Sequence, residues 1–321
     1  MKSPSKLLFM FLMVSSTCMV ASSSNWLTTW MGLEINMLGY IPLMFLKETS
    51  SESEAAVKYL VPQSLGSTIF IASAITSAHF NNLQILMVVA MCLKLGVAPF
   101  HFWFPPVMAS LQLMPAFILL TWQKIAPILA ISSFNPLLMK SIMPIAMISA
   151  LWGGIGGLNQ TDIRSLLTYS SIGHTGWMLA SVNSNYIILL AYLTTYILIN
   201  SSIFSFLVKE QTKSYKQLFS SKEPMKFFTL AITILSLGGL PPLMGFIMKL
   251  LVLMFTEANM ITILGLIVGA LVSLFYYLSL TFSTLLSFNK MHLTKTQMTS
   301  KQASLFLLSQ ILPLTLILFF F

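Results

Sequence analysis

Residues 83–111 form an apolar run of 29 residues that holds a single charge, Lys94, and three prolines, Pro99, Pro105 and Pro106. As one straight helix the run would be roughly 43 Å long. A bilayer's hydrocarbon core is only about 30 Å thick. The run therefore cannot be one straight span, and the prolines place its interruption at residues 99–105. Irregular backbone at membrane depth survives only where protein buries it or where it lines a wet cavity. A lysine beside such a break predicts an ion path.

The rest of the chain fits a membrane class. Hydrophobic residues make up 56% and charged residues 8%, with a mean hydropathy of +0.86, far from soluble domains. The expected fold class is an all-α polytopic membrane protein embedded in lipid. The net charge of +9 then marks loops and orientation and implies no nucleic-acid partner. Cys18 and Cys92 lie in different apolar segments and form no CxxC motif, which argues against disulfide, zinc and iron–sulfur sites in the chain. Sixteen of the seventeen basic residues are lysine, a bias that fits an AT-rich gene such as a mitochondrial one.

Eleven apolar segments follow in order, at 7–22, 25–46, 57–78, 83–111, 113–133, 136–153, 162–183, 185–208, 227–256, 260–288 and 303–321. Lys2, Lys6, Lys47, Arg164, the lysines of the 209–226 stretch and Lys290, Lys295 and Lys301 all fall on one side if there are eleven spans. The positive-inside rule puts that side and the N-terminus in the cytoplasm or matrix, and the C-terminus outside.

The ninth segment repeats the design of the fourth. It is overlong, is broken at LGGLPP by Gly238, Gly239, Pro241 and Pro242, and carries a lone Lys249. The two broken segments are five apart, and a repeat of odd period must cross the membrane in the opposite sense. Residues 1–133 and 134–288 are thus expected to be inverted five-helix repeats within one transmembrane domain, with 289–321 as a loop and a C-terminal helix. Interrupted helices in matching places are the best sequence pointer to a transport site.

Glu34, Lys94 and Lys124 each lie roughly 14–17 Å into their segments, near the midplane. Each such charge costs about 2.5–3.5 kcal/mol to insert. Glu34 can pair with one of Lys94, Lys124 and Lys249, which leaves the other two in surplus over the available acids. Spare midplane lysines make poor structural elements and good proton-exchanging groups, although snorkelling or pairing with a neighbouring chain would also accommodate them. His174, at mid-depth on a face with Thr168, Ser171 and Thr175, is either a proton relay or a packing residue. His101, after the break, lines a cavity or caps loose backbone. GGIGG (153–157) reads as a helix–loop junction, since no strand precedes it to make a phosphate-binding loop.

Five ordered stretches carry a family resemblance: WMGLEIN, KLGVAPFHFWFP, TWQKIAP, GGLNQTDIRSLLTYSSIGHTGWM and LGGLPPLMGFIMK. They resemble the subunit 2 family of NADH:ubiquinone oxidoreductase, respiratory complex I, in its animal mitochondrial form, one of the antiporter-like subunits. The resemblance implies that Glu34 is the carboxylate partner of Lys94, that Lys124 is the central lysine, and that Lys249 is the distal lysine facing the next antiporter-like subunit. It also implies a mitochondrial inner-membrane location with the N-terminus in the matrix and the C-terminus in the intermembrane space, and other membrane-arm subunits as partners. NADH, FMN, iron–sulfur clusters and ubiquinone would belong to the rest of the complex, with no cofactor or metal in this chain. FPPVM lacks the acidic residue and FIMKL the proline that the family often has there.

Three functions stay open on the residues alone. One is a proton-translocating subunit of a redox-driven complex, working through Glu34, Lys94, Lys124, His174 and Lys249. Another is a cation/proton antiporter subunit. The third is a structural membrane-arm subunit without a proton path, which leaves the surplus lysines unexplained.

Overall fold

A computed structural model of the chain describes residues 4–45, 49–77, 84–210, 224–241, 243–256 and 258–288. Every regular element among them is a helix: α1 (Pro4–Ser22), α2 (Trp26–Met44), α3 (Ser50–Thr76), α4 (Ile85–Leu95), α5 (Phe104–Ser110), α6 (Leu113–Leu120), α7 (Trp122–Ser132), α8 (Pro136–Gly157), α9 (Ile163–Val182), α10 (Tyr186–Glu210), α11 (Pro224–Gly238), α12 (Met244–Phe255) and α13 (Met260–Phe288). These helices coincide with the first ten apolar segments; the eleventh, 303–321, lies outside the described residues. Five stretches are long and apolar enough to cross a membrane: Ser5–Ser22, Leu113–Ser132, Leu138–Gly157, Tyr186–Val208 and Met260–Phe282. Outward-facing Leu7 and Phe11 on α1 and Leu271 and Phe275 on α13 form surfaces that only an apolar solvent favours.

The fourth segment is broken, and its break begins three residues before Pro99 and contains it. α4 ends at Leu95, and Gly96 takes the left-handed conformation with φ +65°. The Gly96 N–H bonds the Leu93 carbonyl and the Val97 N–H bonds the Cys92 carbonyl at 3.1 Å. This is a Schellman termination, which a side chain at the left-handed position would strain. The chain then turns through Val97–Trp103 before α5 begins. Pro105 is not part of the interruption. It lies in the first turn of α5, where a missing N–H costs nothing.

The ninth segment ends its first half in the same way. Gly239 has φ +84°, and the Gly239 and Leu240 N–H groups both bond the Leu235 carbonyl, at 3.1 and 3.4 Å. Pro241 follows in the turn before α12 starts; Pro242 lies outside the described residues. Two helices five segments apart thus stop on the same local device.

Segment five, expected as a single helix, is split at Thr121 into α6 and α7. The Thr121 hydroxyl bonds the Phe117 carbonyl at 2.7 Å. Pro127, inside α7, has no N–H to offer the turn before it. Both features loosen the helix around Lys124.

GGIGG is the helical side of the expected helix–loop junction, the last five residues of α8 before the loop that starts at Leu158. α8 continues through it to Gly157, because the glycines are packing surfaces. A Cβ on Gly153 would lie 2.4 Å from the Gly173 nitrogen of α9, and one on Gly269 of α13 would lie 2.5 Å from the Ala150 carbonyl oxygen. Lipid supplies no hydrophobic drive for helix association, so close backbone approach at small residues takes its place.

Candidate functional site: a line of buried lysines

Lys94, Lys124 and Lys249 are all buried, at 5%, 3% and 7% exposure. Lys94 occupies the last turn of α4, and its stem runs across Gly66 of α3, where an added Cβ would come within 3.0 Å of the lysine Cγ. The Gln63 amide donates to the Lys94 carbonyl at 2.9 Å. The Lys94 Nζ has no hydrogen-bond partner among the described residues. It opens instead on a cavity of about 20 Å³ lined by Asn36, Tyr59, Gln63, Gln123 and Lys124. That is room for a water molecule, and the polar lining provides partners for one. Within the lining, Tyr59 donates to Gln123 at 3.2 Å and Gln123 donates to Asn36 at 3.2 Å.

Lys124 forms the far side of the same cavity. Its Nζ donates to the Ser171 carbonyl of α9 at 3.0 Å and lies 5.2 Å from the Tyr196 ring centroid and 5.6 Å from that of Phe104. A desolvated cation over an aromatic face gains about 2 kcal/mol. A charge-assisted hydrogen bond adds about 1.5–3 kcal/mol. Together these are of the same order as the insertion cost, so Lys124 can be held as a cation without a carboxylate.

Lys249 meets the other helix break. Its Nζ donates to the carbonyls of Gly238 at 2.9 Å and Leu237 at 3.3 Å, and lies 5.9 Å from the Trp177 ring centroid. These carbonyls belong to the last turn of α11, where helix geometry leaves them without intrahelical donors and where the dipole is negative. Lys94 reaches the equivalent helix end covalently, as part of α4; Lys249 reaches it from the following half-helix. A second cavity, of about 10 Å³, is lined by Lys249, His174, Ser170, Ser273, Tyr276 and Tyr277.

His174 of α9 lines this second cavity. Its Nδ1 is 2.9 Å from the Tyr192 hydroxyl, its ring lies 5.2 Å from that of Tyr196, and it is within electrostatic reach of both Lys124 and Lys249. Glu34 is half-buried on α2. It is electrostatically coupled to Lys94 and Tyr59 but makes no ion pair with Lys94. Among the described residues the one such pair is Lys58 with Glu54, on the opening turns of α3. The expected Glu34–Lys94 contact is therefore a longer-range coupling, because Lys94 is directed along Gly66 toward Gln63 and the cavity.

The family model for NADH:quinone oxidoreductase and Mrp antiporter transmembrane subunits matches residues 23–82 and 72–273. NADH-ubiquinone oxidoreductase chain 2 of Genetta servalina is 38% identical over 303 residues, covering 89% of this chain and 87% of the relative. The same chain of Lumbricus terrestris is 37% identical, with 88% of each covered. The chain belongs to this chain 2 family. A solved structure of respiratory complex I from Thermus thermophilus with bound aureothin contains a chain that superimposes with a TM-score of 0.79 at 25% identity. The match covers 88% of this chain and 71% of that one.

For a chain 2 protein the site contains more than its charges. Asn36, Gln123 and Tyr59 were missed from sequence, although Asn36 and Gln123 sit inside the stretches that carry Glu34 and Lys124. Gln63 was missed too; the signal for it and Tyr59 was their i, i+4 spacing on α3. Of the rings beside the lysines, Phe104 and Trp177 also sit inside the stretches that carry the family resemblance, whereas Tyr196 had no sequence signal, since aromatic residues are common throughout this chain. Of the two roles expected for His101, lining the cavity or capping the break, the second fits: it lines neither lysine cavity, bonds the Pro99 backbone within the break, and packs on Phe102 at 4.6 Å and Trp152 at 5.7 Å.

Proposed function

We propose that this chain is a membrane-arm subunit of a proton-translocating NADH:ubiquinone oxidoreductase and that protons pass along Lys94, Lys124, His174 and Lys249, with Glu34 setting the charge state at the Lys94 end. The observation that carries the proposal is that Lys94 and Lys124, two buried lysines, share one polar, water-sized cavity. Like charges so placed repel, so the site favours one proton between them and moves it readily. Lys124 then faces the His174–Lys249 cavity across a single helix, α9.

The reading extends to the assembly. The chain is a multi-pass protein of the mitochondrial inner membrane with eleven spans, two inverted five-helix repeats, its N-terminus in the matrix and its C-terminus in the intermembrane space. The like Schellman terminations at Gly96 and Gly239 support the repeat. Lys249 lies toward a neighbouring antiporter-like subunit, and NADH, FMN, iron–sulfur clusters and ubiquinone are held elsewhere in the complex.

The test is Lys124→Met in the assembled complex. Positioned proton-exchanging groups contribute about 10²–10⁴-fold to the steps they serve. Redox-driven pumping is therefore expected to slow by about 10²-fold, with the amount of assembled complex unchanged. Normal pumping by the variant overturns the proton path. Sodium flux in place of proton flux from the purified native complex makes the chain a cation exchanger instead.

A further inference from the structure

Tyr196 of α10 is buried and packs against two neighbouring groups of the path. Its ring centroid lies 5.2 Å from the Lys124 Nζ and 5.2 Å from the centroid of the His174 ring. Its hydroxyl is turned toward the side chains of Ser171 and Asn200, and the Ser171 carbonyl is itself the acceptor for Lys124. Tyr192, one turn earlier on the same face of α10, holds the His174 Nδ1 at 2.9 Å. Helices α7, α10 and α9 thus bring together a lysine, a tyrosine ring and a histidine.

A ring in that position does different things to the two forms of lysine. The ammonium is drawn to the negative face of the π system, whereas a neutral amine is not. The hold is charge-dependent, and the ring that exerts it also packs on His174.

Resting on the path proposed above, we infer that Tyr196 is a positioning residue whose ring, not its hydroxyl, keeps protonated Lys124 turned toward His174 and lets the neutral side chain swing back to the Lys94 cavity. The ring sets where Lys124 is when it carries a proton and so commits that proton to the Lys249 side. Phe104, at 5.6 Å, borders the first cavity together with Lys124 and provides the counterpart position on the Lys94 side.

The experiment compares Tyr196→Phe with Tyr196→Met in the intact complex. Three quantities are read: protons pumped per electron, the pH profile of pumping, and the amount of assembled complex. Tyr196→Phe keeps the ring and is expected to leave the proton-to-electron ratio near normal. Tyr196→Met fills the space without a π face and is expected to lower the ratio about fivefold and to displace the pH profile. Equal impairment by Phe and Met would mean that the hydroxyl carries the role, and the inference falls. It falls also if Tyr196→Met pumps normally, or if it only reduces assembly while each assembled complex pumps at the native ratio. Lys124→Met in parallel separates the two levels of argument. If that variant slows pumping about 10²-fold while Tyr196→Met keeps the native ratio and pH profile, Tyr196 alone is misassigned; if neither affects pumping, the path itself is wrong.

Discussion

Lys94 differs from the other two buried lysines in having no acceptor for its ammonium among the described residues. Lys124 has a carbonyl and two rings, and Lys249 has two carbonyls and one ring. Lys94 depends instead on the cavity and on the distant charge of Glu34. Two opposite charges at 4 Å and an effective dielectric near 20 attract by about 4 kcal/mol, and Glu34 lies beyond that contact. The coupling between the two residues is therefore expected to be below about 4 kcal/mol. Glu34→Gln should slow redox-driven pumping while complex assembly stays near normal. In a double-mutant cycle with Lys94→Ala, the double change should cost less than the two single losses added together. Strict additivity of the pumping losses would show that the two residues act separately. Lost assembly with normal pumping per surviving complex would assign Glu34 a structural role.

At the scale of the helix, the glycines separate into two kinds. Gly96 and Gly239 end helices through positive φ, and both matter for where a lysine meets a carbonyl-rich helix end. Gly153 is helical and matters for packing. An added methyl group there lands 2.4 Å from the backbone nitrogen of Gly173, whereas one on Gly173 finds nothing closer than 4.0 Å. The close approach is thus sensitive from one side only. Gly153→Ala is expected to cost about 1–3 kcal/mol or more, since backbone cannot yield as a side chain can, and to reduce the amount of assembled complex on a native gel. Gly173→Ala should be close to neutral in the same assay. Equal effects of the two changes would disprove the packing geometry of α8 on α9. The notch also matters for the site, because α9 carries Ser171 and His174 and its approach to α8 fixes how far both stand from α7 and α10.

For the whole molecule, the lysine distribution makes a prediction about sidedness. The stretch 209–226 and the N-terminus should share the matrix face. Protease or thiol labelling of right-side-out and inverted inner-membrane vesicles checks this; cleavage of that stretch from the intermembrane-space side would sink the eleven-span arrangement. The same positive-inside logic applies to Lys2, Lys6 and Arg164.

What the sequence determined by itself is the set of properties that depend on local chain chemistry. Hydropathy and length dictated helices in a membrane, since no other open structure satisfies its backbone in lipid. Length against bilayer thickness forced segment 83–111 to break, and the burial cost of charge singled out Lys94, Lys124 and Lys249. Glycine and proline placed both breaks to within a few residues. For Pro105 the signal misled, because proline starts a helix as readily as it stops one. The tertiary structure alone decided what surrounds each charge. That Lys94 and Lys124 share a cavity, that the Tyr196 ring packs against both Lys124 and His174, that Lys249 caps α11 and that Glu34 stays out of ion-pair range all depend on how helices distant in sequence are turned against one another. A few ångströms of rotation or sliding at Gly153 and Gly173 change those contacts without altering the hydropathy of any segment, so periodicity and composition hold no record of them.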